Sequence, residues 1–585
     1  MMEEQLQKIR HSICHLMSMA MQEIYPQVGL GVGPYIEDGF YQDYDLPEPI
    51  GDEILPKLEK RIKEMIKQKI DFVQHDMDFD SALEIYKHDP YKTEMILDLK
   101  AKGEKVVSFY KSDWFENLCL GPHVNNTSEI DLEAFKLTRI AGAYWRGDEK
   151  NKMLTRIYGV AFANKKELDE YLFRQEEAER RDHRKLGAEL DLFVFSDLVG
   201  KGLPLLTPRG TAIRKELEKF VLEEETKRGY QHVITPPLAK VDLYKTSGHY
   251  PYYKDTMYPV MKVDDDELIL RPMTCPHHFM LYKSRPHSYR ELPLRLAEIS
   301  PQFRYEKSGE LAGLMRVRMF CLADAHIIAT TEQAADEIKN VLELIDYANK
   351  AFGLKKGEDY RYRLSLGDRT NEDKYYKDDK AWDQAEDILR QVLKETGAPF
   401  FEAPGEAAFY GPKIDVQVKK VNGHEETAFT VQYDFVMPKR FDLKYTDSDG
   451  QEKQPIVIHR SSIGAFERTM AFLIERYAGA FPVWLAPVQV VFVPVSAKFN
   501  DQARELAREF YAEDKIRAEV EDADETVGNK VRKALQKKTP YVIVIGEKEI
   551  SGQPWMIRVR GQEEQLKMAK NEFLEKIKSQ IVNRQ

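Results

Sequence analysis

The chain has 585 residues, which is too long for one hydrophobic core, so we expect about three to five domains. Hydrophobic residues make up 42% of it and charged residues 32%, and no apolar run approaches the roughly 18 residues that a membrane span needs, which argues against a membrane protein. The formal net charge of −11 argues against a protein that coats nucleic acid non-specifically, so any RNA binding must use local basic faces.

The cysteine usage and the amino terminus predict a cytoplasmic protein. The start, "MMEEQLQKIRHS", is acidic and mixed, unlike a signal peptide. Four scattered cysteines are too few for a disulfide framework and fit a reducing compartment. They are Cys14, Cys119, Cys275 and Cys321.

The first part of the chain, residues 1–160, mixes a helical start with strand-like runs such as "KVVSFY" and predicts an α+β domain. Residues 161–202 form a predicted linker. Within it, residues 165–190 carry charges at helical spacing and no proline, which predicts one connecting helix, with a solvated surface helix as the plain interpretation.

The pattern then changes twice more. In residues 203–480 the amphipathic stretch "GTAIRKELEKFVLEEETKRGY" predicts a long helix, and runs such as "AFYGPKIDVQVKK" and "ETAFTVQYDFVM" predict a mostly antiparallel sheet. Residues 484–585 alternate strand-like and helical runs and predict a separate α/β domain with a mainly parallel sheet. The fold class is therefore multidomain, with α+β and α/β parts.

The stretch "RPMTCPHHFMLY" sets Cys275 beside His277 and His278. Closed zinc sites usually show paired ligands at C-x₂₋₄-C or H-x₃₋₅-H spacing, and no second cysteine lies near. Locally, Cys275 is as well explained as a small buried hydrophobe in an apolar strand. The local pattern leaves both interpretations open.

Two arginine-bearing stretches predict a phosphate site. "FRYEKSGELAGLMRVRMF" sets Arg304, Arg316 and Arg318 around a glycine-containing loop between two strand-like runs. With same-face arginines on the returning strand, this predicts a hairpin able to hold a carboxylate and phosphates. Phe320 offers a flat face for a base, and "HRSSIGAFERTMAFLIE" puts Arg468 in a helix that we expect to be broken by glycine. Neither Walker nor G-x-G-x-x-G sequences occur, so a bound nucleotide would lie on the antiparallel sheet.

The chain resembles class II aminoacyl-tRNA synthetases: "ITPP", "FRYEKSGELAGLMRVRMF" and "GAFERTMAFLIE" are similar to their motifs 1, 2 and 3. "RPMTCPHH", "LADAHI", "AFYGPKID", "TVQYDF" and "IHRSSIGAFER" resemble the threonyl-tRNA synthetases in particular, over nearly the whole chain and in the same order. The likeness is to bacterial members without the small ubiquitin-like domain that many relatives carry at the amino terminus. It implies a class II antiparallel-sheet catalytic core between an editing domain and an α/β anticodon-binding domain.

The resemblance implies one zinc ion per subunit, bound by Cys275, His326 and His459. An S/N/N ligand set leaves zinc an open position, as in a site that holds a substrate. The amino and hydroxyl groups of L-threonine would chelate there. His277 and His278 would then be bystanders.

The resemblance also implies the roles of the surrounding residues. Asp324 would accept a hydrogen bond from the threonine hydroxyl, while Tyr410 and Gln432 would line the pocket. ATP would enter with Mg²⁺. The remaining implied roles are Arg304 on the carboxylate and α-phosphate, Lys413 as nearby positive charge, Phe320 and Arg468 around adenine, Glu306 at its edge and Arg316 toward the outer phosphates. Leu322 departs from the family, because many relatives carry glutamine there.

The first domain resembles the editing domain that hydrolyses Ser-tRNA(Thr). "HSICH" places His11 and His15 one helical turn apart, and "CLGPHV" supplies Cys119 and His123. From the residues alone a second zinc site is an alternative. The resemblance implies instead that they orient substrate and water without metal. Asn117, where relatives often carry aspartate, would weaken editing.

The resemblance implies tRNA(Thr) as a partner and a homodimer, whose interface motif 1 builds around Pro236. In the last domain Glu525 and Arg532 match positions that read anticodon bases. Basic "QKKTP" and "IRVRG" would contact the RNA backbone or be ordinary surface.

Three other functions fit these residues less well. A non-catalytic RNA-binding relative tends to lose the motif arginines, and this chain keeps them. A metal hydrolase acting through the first domain leaves the ATP motifs unexplained. Another amino-acid specificity within the class is disfavoured by Cys275, His326 and His459 together.

Overall fold

The computed structural model describes residues 2–585, apart from the side chain of residue 2. The chain divides into two compact units, one ending at Glu176 and one beginning at Glu177. Among the described residues no helix is both long and apolar enough to cross a membrane.

The first unit is an α+β domain, as predicted. Its helices are α1 (Met2–Ile24), α2 (Leu55–Lys67), α3 (Phe79–Tyr86) and α4 (Pro90–Ala101). Its strands are β1 (Gly29–Leu30), β2 (Tyr35–Ile36), β3 (Gly39–Asp45), β4 (Val73–Met77), β5 (Val107–Ser112), β6 (Phe115–Leu118), β7 (Phe135–Tyr144) and β8 (Met153–Ala161).

Two antiparallel sheets organise this unit. One runs in the order β1-β3-β8-β7, with β2 paired to β3, and the other in the order β4-β5-β6. Helix α1 lies against the first sheet because one of its faces is apolar at helical spacing; Ile13, Leu16 and Met17 on it are fully buried. The histidines of α1 are thereby fixed between sheet and loop.

The prediction of one continuous helix over residues 165–190 is wrong, because two helices occupy this segment. The structure has α5 (Lys165–Arg180) and a separate α6 (His183–Glu189). Asp182 divides them, because its carboxylate accepts a hydrogen bond from the backbone N–H of Arg184 at 2.7 Å and so starts a new helix. The charge spacing continues through the break and hides it.

The second unit contains the remaining elements. The helices are α7 (Pro208–Lys227), α8 (Val241–Ser247), α9 (His249–Tyr252), α10 (Cys275–Lys283), α11 (Ala334–Ala351), α12 (Asp379–Glu395), α13 (Met437–Arg440), α14 (Phe466–Arg476), α15 (Asn500–Asp514), α16 (Val527–Gln536), α17 (Glu547–Ile550) and α18 (Lys570–Val582). The short strands outside the two main sheets are β9 (Phe193–Val194), β10 (Leu205–Leu206), β12 (Leu238–Lys240), β13 (Met261–Val263), β14 (Asp266–Leu270), β21 (Tyr445–Thr446) and β22 (Glu452–Lys453).

The central sheet of this unit has eight strands in the order β11-β15-β16-β23-β20-β19-β17-β18. Their bounds are β11 (Gln231–His232), β15 (Leu294–Phe303), β16 (Met319–Ala329), β17 (Tyr360–Leu366), β18 (Phe400–Pro404), β19 (Lys413–Lys419), β20 (Glu425–Asp434) and β23 (Ile456–Ala465). Only the β11–β15 and β17–β18 pairings in it are parallel, which confirms the mostly antiparallel prediction.

The two faces of this sheet differ in chemistry. On β16, Ala325 and Ile327 point into the main hydrophobic core, while the alternate residues Asp324 and His326 line a cavity. Side chains alternate between the faces of a strand, so the period of two assigns one face to stability and the other to the site.

The last sheet has the order β25-β24-β26-β27-β28, with β24 (Val490–Pro494), β25 (Ala518–Val520), β26 (Tyr541–Ile545), β27 (Trp555–Val559) and β28 (Leu566–Met568). Strand β24 is parallel to both of its neighbours, and the other two pairings are antiparallel. The mainly parallel prediction is therefore half wrong. The segment between β26 and β27, residues 546–554, is shorter than the dozen or more residues that a parallel crossover needs.

Three local predictions also need correction. Cys275 is the first residue of α10 and does not lie in a strand. Gly464, with φ +71°, is the next-to-last residue of β23 and precedes helix α14, which is therefore unbroken. Arg316 and Arg318 precede β16 and lie in the connection from β15, whereas the hairpin itself is confirmed.

Candidate functional site

The register of the central sheet places four predicted site residues in one row. His326 on β16 lies opposite His459 on β23, which lies opposite Gln432 on β20. Gln432 in turn lies opposite Lys413 on β19. Residues paired in this way have Cβ atoms about 5 Å apart, so positions far apart in the chain become neighbours.

Cys275 completes a cluster with the two histidines. The ligand atoms of Cys275, His326 and His459 lie within 4.8 Å of one another, and all three residues are buried. Burial raises the pKa of the Cys275 thiol well above its usual range and lowers that of His326 well below it, since the charged forms lose hydration. Two imidazoles and one thiol that a cation can deprotonate form a donor set that fits zinc.

Asp434 orients His459 and was missed by the sequence analysis. Its Oδ2 lies 2.8 Å from Nε2 of His459, and its Oδ1 accepts hydrogen bonds from the backbone N–H groups of Val436 and Met437, each at 2.9 Å. This leaves Nδ1 of His459 for the cluster. The signal was present, because Asp434 stands two residues after Gln432 and hence on the same face of β20.

His278 was predicted to be a bystander, and it lies outside the group of possible ligands, yet it contacts one of them. Its Nδ1 lies 2.8 Å from Nδ1 of His326. Cys275 and His278 are three residues apart on α10 and so share the face that meets the sheet. His277 points elsewhere, and neither of its ring nitrogens has a hydrogen-bond partner in the described part of the chain.

Two arginines bring positive charge to the same cavity, whose volume is about 340 Å³. The Arg304 guanidinium lies 5.0 Å from the ring centroid of Phe320, and no described carboxylate forms a salt bridge with it. Burial lowers the pKa of Arg304, which Glu306 opposes and the charge of Arg468 adds to. A half-buried guanidinium that forms no salt bridge with a described carboxylate is suited to bind an anion.

The two other motif residues of the ATP prediction pair with each other. Arg316 donates to the carboxylate of Glu306 at 2.8 Å and approaches Glu310 at 3.3 Å. Arg316 is half exposed, so this pair can open at little cost when another anion arrives.

Polar groups on the cavity wall surround the cluster. Asp324 accepts a hydrogen bond from Nε2 of Gln302 at 3.3 Å, and burial raises the pKa of Asp324. The Tyr410 hydroxyl donates to Oε1 of Gln432. Leu322 lies on the same wall and contributes no polar atom. Gln302 is a further residue that the sequence analysis missed.

Of the residues predicted for this site, Arg318 does not line the cavity, and neither does Lys413. Its ammonium pairs with Asp415, two residues along β19. The other predicted residues all line one cavity; in chain order they are Cys275, Arg304, Glu306, Arg316, Phe320, Asp324, His326, Tyr410, Gln432, His459 and Arg468.

The first unit holds a second cavity of about 580 Å³, lined by His11, His15 and Cys119. The Cys119 Sγ lies 3.3 Å from Nε2 of His11 and 3.2 Å from Nε2 of His123. These three residues form a second group close enough to hold a metal ion. His15 is outside that group and packs edge-on against the ring of His123 at 5.2 Å.

His11, His15 and His123 are neutral, and none of them has a carboxylate partner among the described residues. Burial lowers the pKa of His15 to about 3 and also lowers those of His11 and His123. His123 bonds through Nδ1 to the Ser12 hydroxyl at 3.1 Å, and Nδ1 of His11 and Nε2 of His15 have no described partner. Neutral rings can accept a proton from water or a hydroxyl group.

Lys92 enters the second cavity from helix α4. The Asp89 carboxylate caps that helix by accepting from the backbone N–H groups of Tyr91 and Lys92, each at 3.0 Å. Lys92 is 3% exposed, and burial lowers its pKa to about 8, against the opposing charge of Asp89. Lys92 was not predicted from the sequence to line this cavity. "DP" marks the helix start, but nothing local shows which way the lysine points.

Asn117 lies on the wall of the same cavity and is 8% exposed. It stands on β6 opposite Tyr110 of β5. An amide at this position adds no charge, whereas the buried ammonium of Lys92 lies on the wall of the same cavity.

The two predicted RNA-reading residues of the last domain are neighbours on its surface. Asn529 on α16 donates to the carboxylate of Glu525 and accepts from Nη2 of Arg532 at 2.7 Å. Lys533 also pairs with Glu525. The group is held in place yet accessible, as a base-reading surface needs to be.

Three protein families match parts of this chain. Residues 258–477 match the class II tRNA synthetase core domain of the G, H, P, S and T type. Residues 489–580 match an anticodon-binding domain, and residues 106–158 match the second additional domain of threonyl- and alanyl-tRNA synthetases.

Whole proteins match over nearly the full length. The threonine–tRNA ligase of Geobacillus sp. (strain WCH70) is 47% identical over 99% of this chain and 89% of its own length. That of Anoxybacillus flavithermus is 48% identical over the same shares. A crystal structure titled as the RNA binding domain of threonyl-tRNA synthetase from Cryptosporidium parvum matches with TM-score 0.65 and 33% identity, over 68% of this chain and 98% of that one. The chain therefore belongs to the threonine–tRNA ligase family of class II aminoacyl-tRNA synthetases.

Proposed function

We propose that this protein activates L-threonine with ATP to threonyl-adenylate, transfers it to the 3′ end of tRNA(Thr), and hydrolyses mischarged Ser-tRNA(Thr). The observation that carries the proposal is the meeting of two groups in one cavity. The Cys275, His326 and His459 cluster and the unpaired Arg304 line the same space. A site for a small hydroxylated amino acid thus adjoins a site for phosphate.

Arg304 is proposed to hold the threonine carboxylate and the α-phosphate of ATP, which enters with Mg²⁺. Phe320 and Arg468 would take adenine between them, with Glu306 at its edge. Arg316 would exchange its ion pair with Glu306 for one with the outer phosphates. Lys413, which pairs with Asp415, would contribute positive charge near the site. The carboxylate then attacks the α-phosphate and pyrophosphate leaves, a step that needs alignment and charge neutralisation more than proton transfer.

Zinc is proposed as the resident metal, held by Cys275, His326 and His459. When bound, it would hold the amino and hydroxyl groups of threonine. Asp324, fixed by Gln302, would accept the hydroxyl hydrogen. Tyr410 and Gln432, bonded to each other, would close the pocket around the methyl group.

The second cavity is proposed as the editing site. His11, His15, Cys119 and His123 would orient the ester of Ser-tRNA(Thr) and a water molecule, and the neutral imidazole of His11 would accept the proton of that water. Lys92 would hold negative charge of the tRNA terminus. Neutral Asn117 would contribute less than the aspartate of many relatives.

The domain boundaries stay proposals: 1–160 for editing, 161–202 for the linker, 203–480 for the catalytic core and 484–585 for anticodon binding. In the last, Glu525 and Arg532 are proposed to read anticodon bases. A cytoplasmic location also stays a prediction.

A homodimer is proposed through the segment around Pro236. Ile234 beside it is 97% exposed, an unusual state for a large aliphatic side chain in a protein that remains monomeric. Sedimentation equilibrium should give twice the chain mass, and Ile234→Asp should shift the protein toward the monomer.

Pyrophosphate exchange with each of the twenty amino acids tests the proposed activity. Threonine should give the highest rate and serine a lower, measurable one. Exchange that depends on another amino acid, or no exchange at all, would refute the proposal.

A further inference from the structure

A chain of buried polar groups runs from the metal cluster into the body of the second unit. Nδ1 of His326 lies 2.8 Å from Nδ1 of His278, and Nε2 of His278 lies 3.2 Å from Oε2 of Glu298. All three side chains are buried: His326 is 1% exposed, His278 0% and Glu298 4%. A buried link of this kind is costly to form unless each donor meets an acceptor.

The far end of this chain is firmly anchored. The Glu298 carboxylate accepts hydrogen bonds from Nη2 of Arg271 at 2.8 Å and from the hydroxyl of Thr235 at 2.7 Å. Arg271 is itself fully buried and also bonds to Thr235 and to the carbonyl oxygen of Pro301. Surrounded by donors, Glu298 acts toward His278 as an acceptor.

The anchor fixes the direction of every bond. Since Glu298 accepts, His278 donates its Nε2–H and must carry a lone pair on Nδ1. That lone pair accepts the Nδ1–H of His326, and the Nε2 lone pair of His326 is left for the cluster with Cys275 and His459. A metal ligand needs this tautomer, since the ligating nitrogen has to be unprotonated.

We propose that His278 and Glu298 are positioning residues that hold His326 in the tautomer and orientation required to bind zinc. The proposal rests on the zinc site proposed above. Asp434 forms a hydrogen bond with His459 directly. No described carboxylate contacts His326, and His278 instead connects His326 to Glu298 through two hydrogen bonds. The two histidine ligands thus receive the same support by routes of different length.

The chain offers a matched pair for the test. His278→Leu removes both bonds, while Glu298 keeps Arg271 and Thr235, so the fold should survive. His278→Gln keeps the polarity, because its amide N–H can donate to Glu298 and its carbonyl can accept from His326. His277→Leu is the control, since His277 is buried one residue away and makes no bond through its ring.

The primary measurement is the zinc dissociation constant, by competition with a chelator. His278→Leu should weaken zinc binding by about 10 to 100-fold, whereas His278→Gln and His277→Leu should remain near the wild-type value. The absorption bands of the Co²⁺-substituted protein should shift for His278→Leu alone.

Equal zinc affinity in His278→Leu and His277→Leu would overturn the proposal. Absence of zinc from the wild type would instead refute the zinc site itself, so the two failures are distinguishable. If His278→Leu does not fold, ¹⁵N-histidine NMR of the zinc-loaded wild type decides. His278 must then carry its proton on Nε2 and His326 on Nδ1, and a proton on Nδ1 of His278 overturns the proposal.

Discussion

The catalytic cavity around Cys275 and the editing cavity around Cys119 each adjoin a cluster of one cysteine and two histidines, yet the histidines are supported differently. In the catalytic cavity a carboxylate reaches His459 directly and another reaches His326 through His278. In the editing cavity the described ring bonds go to Cys119 and to the Ser12 hydroxyl, and the buried Lys92 lies on the cavity wall.

The groups that contact the imidazoles distinguish the two clusters, although the ligand atoms of both lie within 4.8 Å of one another. Carboxylates behind the imidazoles favour a dication, because they add negative charge and fix the ligating nitrogen. Neutral, unsupported imidazoles beside a buried ammonium disfavour a dication and suit proton transfer. We therefore expect zinc in the first cluster and metal-free hydrolysis in the second.

The largest expected effect concerns amino-acid choice in the catalytic cavity. Valine matches threonine in shape but lacks the hydroxyl, so it would leave Asp324 and the metal without a partner, and its kcat/KM in pyrophosphate exchange should be about 10⁴ to 10⁵ lower. Serine lacks only a methyl group and should be lower by about 10 to 200-fold. Valine activated as well as serine would show that this cavity does not read a hydroxyl group.

The next effect separates the two cavities. The double variant His11→Ala, His15→Ala should lower Ser-tRNA(Thr) deacylation by about 10² to 10⁴, the usual contribution of proton transfer, and leave threonine activation near wild type. His75→Ala, His88→Ala in the same unit is the control. Equal deacylation by wild type and double variant would move proofreading elsewhere, or show that Asn117 marks a site already weakened.

A third prediction concerns the phosphate side of the catalytic cavity. Arg304→Ala should raise the free energy of the transition state for adenylate formation by roughly 2 to 4 kcal/mol, since Arg304 lines the cavity and forms no salt bridge with a described carboxylate. Arg468→Ala should act in the same direction. Arg290→Ala, on the exposed surface, is the control. Near-normal exchange in Arg304→Ala would contradict the assignment.

The smallest effect is a pH dependence confined to editing. The pKa of Lys92 is lowered to about 8, so raising the pH from 7 to 9 should remove most of its charge and lower the enzyme-dependent deacylation rate roughly tenfold. The uncatalysed hydrolysis must be subtracted at each pH. Lys92→Arg, which keeps its charge, should flatten this decline. A wild-type rate that does not fall across this range would exclude a role for the charge.

Much of the catalytic site was predictable from the sequence because it follows from strand periodicity and motifs. Phe320, Leu322, Asp324 and His326 alternate along one strand and all line the cavity. The union of Cys275 with His326 and His459 was predicted only by resemblance, because the sheet register brings them together and no local pattern encodes it.

The supporting residues were harder to predict, for physical reasons. Asp434 shares a strand face with Gln432 and was within reach of the periodicity argument. His278 and Glu298 meet only after α10 packs on β15, and Lys92 turns inward only because the capped start of α4 faces a cavity. Such orientations depend on tertiary packing.

The same limit explains the errors in the fold. Charge spacing continued through Asp182 although its carboxylate starts a new helix. Alternating strands and helices in the last domain predicted a parallel sheet, but a connection too short for a crossover reverses the strand direction after β26.

The zinc content of the protein shows directly which of the two clusters binds the metal. Mass spectrometry of the purified wild type, Cys275→Ala and Cys119→Ala proteins compares the two clusters in one experiment. We predict about one zinc per chain in the wild type and in Cys119→Ala, and almost none in Cys275→Ala. Zinc retained in Cys275→Ala and lost in Cys119→Ala would contradict the account, because the metal would then sit among the unsupported histidines.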